Sequence, residues 1–148
     1  MAFRFALGSL LRLRQSIEHQ QELLLQKATQ AVLSVQRDIE DVDRRVATIL
    51  TAEADQLGLG VTAAELQFAE VCRSLLREFR SDLEHELRRR QEARQQQSER
   101  FQAARRDREV LESLRQRQLQ VYRVQENRRE QRRMDDLLLL RREFQRHS

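Results

Sequence analysis

Few side chains in this chain are suited to chemistry, and they stand apart from one another. His19, His85 and His147 are widely separated, and no carboxylate or cysteine lies at the spacing of a metal site or catalytic triad. His85 shares a helical face with Glu78, Asp82 and Arg88, the surroundings of a solvated surface histidine. The single thiol, Cys72, falls on an apolar stripe and reads as an inert packed residue rather than a nucleophile. Gly8, Gly58 and Gly60 are the only glycines, so no glycine-rich phosphate loop exists. The expectation is a chain without catalytic residues, metal ligands, cofactors or a small-molecule substrate.

Arginine is the one abundant functional group. Residues 1–87 carry a net charge of −4 and residues 88–148 a net charge of +8, with Lys27 the only lysine. Arg forks onto carboxylates or phosphates, so the basic half suits an acidic partner surface or a solvated helix face. Nucleic acid is not expected, because the arginines are spread around the helix and aromatics for stacking, such as Tyr122, are scarce there.

The elements that position these groups are helices. Proline is absent, and Gln, Arg, Glu and Leu lose little rotamer freedom in a helix. With 35% charged residues and no Trp, the chain lacks stock for a thick core but has enough for a seam between two helices. The longest apolar run is Leu137–Leu140, far below the roughly 20 residues that span a bilayer. Arg4, Arg12 and Arg14 interrupt any signal-peptide core, and a lone cysteine suits a reducing compartment, so a cytoplasmic protein is expected.

The first helix is expected from about Ser9, as N-cap, to Leu57, roughly 70 Å at about 1.5 Å per residue. Leu25, Ala28, Val32, Val35, Ile39, Val42, Val46 and Ile49 alternate in spacings of three and four, a heptad seam. Leu10, Ile17 and Leu24 join it out of register, which predicts a stutter near Leu24–Ala28. Residues 58–61 form the break. Thr62 and Glu65 make a capping box, with Val61 and Leu66 as hydrophobic staple.

Maximising apolar burial selects a pairing in which partner numbers add to about 150, setting Leu10 near Leu140 and Val35 near Leu114, since each buried aliphatic is worth about 1.5–3 kcal/mol. That register leaves residues 62–87 as a helical excursion at the closed end and starts the second long helix at about residue 88, running to 146. The fold class is all-α, a single domain made of a long antiparallel coiled-coil hairpin. Two apolar features lie outside a two-helix seam and are candidate interaction surfaces. One gathers Phe3, Phe5, Leu7, Leu10 and Leu11 with Leu137–Leu140 and Phe144; the other is the stripe of Phe68, Val71, Cys72, Leu75 and Phe79.

Two terminal patterns and a middle one resemble a known family. Phe3-Arg4-Phe5-x-Leu7 with Leu10-Leu11-x-Leu13-Arg14, the segment Glu126-Asn127-Arg128 through Met134-Asp135-Asp136, and Gly60 with Phe68, Val71 and Leu75 are similar to the flagellar FliJ family. The resemblance implies a coiled coil like the central stalk of rotary ATPases. It also implies a non-catalytic component of the flagellar type III export apparatus, at the cytoplasmic face of the inner membrane. Its implied partners are the hexameric export ATPase, the cytoplasmic domain of the export gate and export chaperones. Carried onto this chain, Phe3, Phe5, Leu10, Leu11, Arg128, Arg129, Arg132, Arg133, Met134, Leu137 and Leu138 would meet the ATPase ring. Phe68, Val71 and Leu75 would face the gate. The alternatives are the equivalent stalk of a virulence type III secretion system, or a basic coiled-coil nucleic-acid-binding or self-associating scaffold protein.

Overall fold

The structure is a computed structural model and describes residues 2–147. Two long helices pack against each other as a two-helix hairpin, with no strand among the described residues. Helix α1 spans Gly8–Leu57 and helix α2 spans Ala63–Arg146. Ser9 lies inside the first turn rather than capping it. Its hydroxyl accepts from the Arg12 guanidinium at 3.3 Å, while the Leu7 carbonyl accepts the Leu11 N–H at 2.9 Å.

The turn is built as its residues dictate. The Leu59 N–H donates to the Gln56 carbonyl at 2.9 Å, and Gly60 sits at φ +86°, a conformation that L side chains adopt only with strain. Thr62 then caps α2, its hydroxyl accepting the Glu65 N–H at 3.3 Å.

The chain divides into two compact units. One, His19–Gln102, holds the aliphatic seam. Val32 and Val35 are 1% and 2% exposed and Val42 is equally buried, while Leu25, Ala28, Ile39, Val46 and Ile49 are half-buried. On α2, Ala69, Cys72, Leu76, Leu83, Leu87 and Phe101 are the half-buried apolar positions. Polar groups interlock across the same seam. Glu53 pairs with Arg73 at 3.2 Å, Asp43 with Arg80 at 2.7 Å, and the Arg90 guanidinium donates to the Ala31 carbonyl at 3.0 Å. Gln97, buried at 9% exposure, donates to the Gln21 side-chain oxygen at 2.6 Å.

The other unit joins the residues up to Glu18 with those from Ala103 onward. Leu11 and Ala104 are its buried residues. Arg108 holds Glu18 with two hydrogen bonds, at 2.6 and 3.3 Å, in the bidentate fork that Arg makes with a carboxylate. Arg14 reaches Asp107 at 3.4 Å, and the rings of Phe3 and Tyr122 meet at 5.6 Å.

These pairs overturn the expected register. Partner numbers add to between 118 (Gln21 with Gln97) and 126 (Glu18 with Arg108, Glu53 with Arg73), not to about 150. Residues 63–87 accordingly continue α2 without a break and pair with α1 through Arg73 and Arg80, so they are no excursion. The expected stutter is absent too. Leu11, Arg14, Glu18, Gln21 and Leu25 alternate by three and four, and all are buried or half-buried.

The physical reason is that polar seam residues satisfy one another. Counting aliphatic burial alone treats every seam Arg or Gln as a penalty, whereas a buried polar group with a partner costs little. Arginine stems also cover apolar surface while their heads find oxygens. Arg90 ends on Ala31, next in sequence to Val32, and Arg80 ends on Asp43, next to Val42.

Candidate functional site

The chemistry of the polar network holds charges rather than moving protons. The Arg80 guanidinium is pushed above its ordinary value by hydrogen bonding and attraction to Asp43, and Arg108 likewise by its hydrogen bond to Glu18. Glu86 is held below the ordinary carboxylate value by hydrogen bonds from Arg89 and Arg90. Each shift fixes a charge more firmly, the reverse of a group tuned for acid–base catalysis near neutrality. Among the described residues no cluster of His, Cys, Asp or Glu has metal-binding geometry, and no helix is long and apolar enough to cross a membrane.

What the helices present is apolar surface in two places. On α2 just after the turn, Phe68, Val71, Leu75 and Phe79 recur at three- and four-residue spacing and are all exposed. They flank the seam positions Ala69, Cys72 and Leu76, so the helix carries apolar side chains both toward α1 and away from it. A cavity of about 440 Å³ opens beside them between Ile49 and Ala52 of α1 and Phe68 and Cys72 of α2. Glu53 lines it, and its Oε1 is buried without a hydrogen-bond partner, as is Arg73 Nε. The packing of the two helices is least well satisfied here.

The second place is the end of α2. From Asn127 to His147, past the level at which Phe3 meets Tyr122, every residue is exposed. Met134 and Leu137–Leu140 stand 56–61% exposed, and Arg128, Arg129, Arg132 and Arg133 surround the approach to them. The residues expected to act together at this end are therefore divided. Leu11 is buried in the seam, Phe3 and Phe5 are half-buried, and Leu10 is exposed at the partly open edge of α1. None of them covers the leucine run.

Sequence reasoning missed the cross-helix partners Glu18, Gln21 and Glu53 on α1 and Arg73, Arg80, Arg90, Gln97 and Arg108 on α2. Their signal was present in the unbroken spacing, which continues the heptad through polar residues as well as apolar ones. The Phe3–Tyr122 ring contact had no sequence signal apart from that register.

The comparison with known families decides what kind of helical pair this is. A family model described as the flagellar FliJ protein matches residues 3–147, nearly the whole chain. The chain belongs to the FliJ family. Neither the curated proteins nor the solved structures contain a match to it. As a FliJ-family member it is a component of the flagellar export apparatus.

Proposed function

We propose that this FliJ-family protein is a non-catalytic, stalk-like regulator that binds and stimulates the hexameric export ATPase, contacts the cytoplasmic domain of the export gate and escorts export chaperones. It works at the cytoplasmic face of the inner membrane, held there through the apparatus. The observation that carries this reading is the single-helix end of α2, with Met134, Leu137 and Leu138 uncovered and four arginines leading up to them. A ring of subunits surrounding such a helix touches a different side chain at each subunit. Unequal contacts bias the subunits' conformational equilibria differently, which is all a regulator without catalytic groups requires. Arg128, Arg129, Arg132 and Arg133 pair with acidic loops of the ring. Phe3, Phe5 and Leu10 border the site, while Leu11 supports it from the seam. Phe68, Val71 and Leu75 form the gate-facing surface.

The test uses the purified ATPase with the intact chain and a Leu137→Asp/Leu138→Asp variant. Hexamer formation and ATP turnover should rise with the wild type and not with the variant, whose exposed substitutions leave the helix pair folded. Equal stimulation by both proteins refutes the assignment of the tail. Phe68→Asp/Leu75→Asp should abolish binding to the gate domain and leave ATPase stimulation intact.

A further inference from the structure

The tail of α2 carries a charge pattern that its own helix leaves unpaired, although Arg132 lies three residues before Asp135, and Arg132 and Arg133 lie four and three before Asp136. Asp135 and Asp136 precede the four leucines, and Arg141 and Arg142 follow them. Helical neighbours lie three and four residues apart. From the two aspartates those steps forward fall on Leu138, Leu139 and Leu140, and from the two arginines those steps backward fall on Leu137, Leu138 and Leu139. Neither aspartate nor either arginine takes part in an ion pair among the described residues, although intrahelical pairs such as Arg105–Glu109, Arg115–Glu112 and Arg129–Glu126 recur through the helix above them. No part of α1 reaches this segment, whose residues are exposed on every face.

A sequence that reads acidic, apolar, basic becomes its own complement when reversed. We propose that the tails of two copies of this chain dock antiparallel, centred between Leu138 and Leu139, so that Asp135 of each copy lies beside Arg142 of the other. With Met134, Leu138 and Arg141 turned to the partner, Asp135 and Arg142 share one flank of the pairing and Leu137 and Phe144 the other. An arginine inside such a seam matches the protein's own practice, since α2 already places Arg73, Arg80 and Arg108 against carboxylates of α1. The parallel arrangement sets aspartates against aspartates and arginines against arginines and is excluded by like-charge repulsion.

The overlap from residue 131 to residue 146 is about 24 Å of helix. Two helices of that length bury less than the roughly 1,200 Å² at which stable complexes begin, so the dimer forms and dissociates with concentration. This inference does not rest on the role in export. It does make self-pairing and engagement of any other partner by the same leucines mutually exclusive.

Sedimentation equilibrium of the intact protein over a wide concentration range tests it. The wild type should move from monomer to dimer mass as concentration rises. Asp135→Arg/Asp136→Arg and Arg141→Asp/Arg142→Asp should each remain monomeric, because each homodimer then juxtaposes like charges at both ends. Their equimolar mixture should regain the dimer, because the introduced arginines of one variant meet the introduced aspartates of the other, and the native aspartates and arginines meet each other. That rescue requires both variants to keep their helices, so loss of folding cannot imitate it. A wild type that stays monomeric at every concentration overturns the proposal, whether or not the tail binds the ATPase ring or anionic vesicles. Dimerisation of each variant alone, or failure of the mixture to dimerise, overturns it equally.

Discussion

Val35 and Leu137 are both aliphatic residues in long helices rich in charge, yet Val35 is 2% exposed and Leu137 is 61% exposed. What separates them is a facing helix. In the unit spanning His19–Gln102, α1 and α2 supply each other with partners, and aliphatic, amide and charged positions alike find a complement. In the tail of α2 the same residue types project into solvent, and the apolar surface left over is what another molecule can recognise. Side chains of the same kind thus serve cohesion in one region and stand uncovered in the other.

The sharpest way to break this contrast is to put a carboxylate in each region. Val35→Asp should destabilise the fold by about 3–5 kcal/mol, as an unpaired buried charge does, and lower the thermal midpoint accordingly. Leu138→Asp should alter stability by no more than about 0.5 kcal/mol while removing partner binding. Equal melting of the two variants would erase the distinction between seam and tail.

A smaller effect tests whether polar pairs set the register. Gln97→Leu strands the Gln21 amide in a buried site and should cost about 1–3 kcal/mol by urea unfolding, whereas Gln21→Leu/Gln97→Leu removes both partners and should recover most of it. A double variant no better than the single one would show that this pair does not hold the helices in register.

Thr62→Ala deletes the cap of α2 and should cost about 1 kcal/mol, with fraying confined to residues near the turn in hydrogen exchange. The smallest effect is a matter of pH. Glu86 is held below its ordinary value of 4.5, so its stabilising contribution is complete above that pH and fades as pH falls through the lower folded value. Glu86→Gln should therefore flatten the acid limb of the stability profile slightly and leave the alkaline limb unchanged.

Much of the helical pairing was legible beforehand. Leu25 to Ile49 announced their common face by spacing alone, and Thr62-x-x-Glu65 marked the restart of the chain, because both signals are local. The register was not legible by the same means. Val32 and Val35 are compatible with several positions along α2, since aliphatic contacts carry no direction, and an apolar tally favoured the wrong one. Leu10 and Leu140 each qualified as interface residues on composition, but the register that brings Phe3 to Tyr122 leaves Leu140 exposed.

By itself, then, the sequence determined that the chain is helical, where it turns and which face of α1 is apolar, since propensity, capping and periodicity act over a few residues. The tertiary structure alone decided how far one helix slides along the other and hence how much of α2 is left uncovered. Directional pairs such as Gln21 with Gln97 and Glu18 with Arg108 lie 76 and 90 residues apart in the chain, and their geometry exists only once the helices meet.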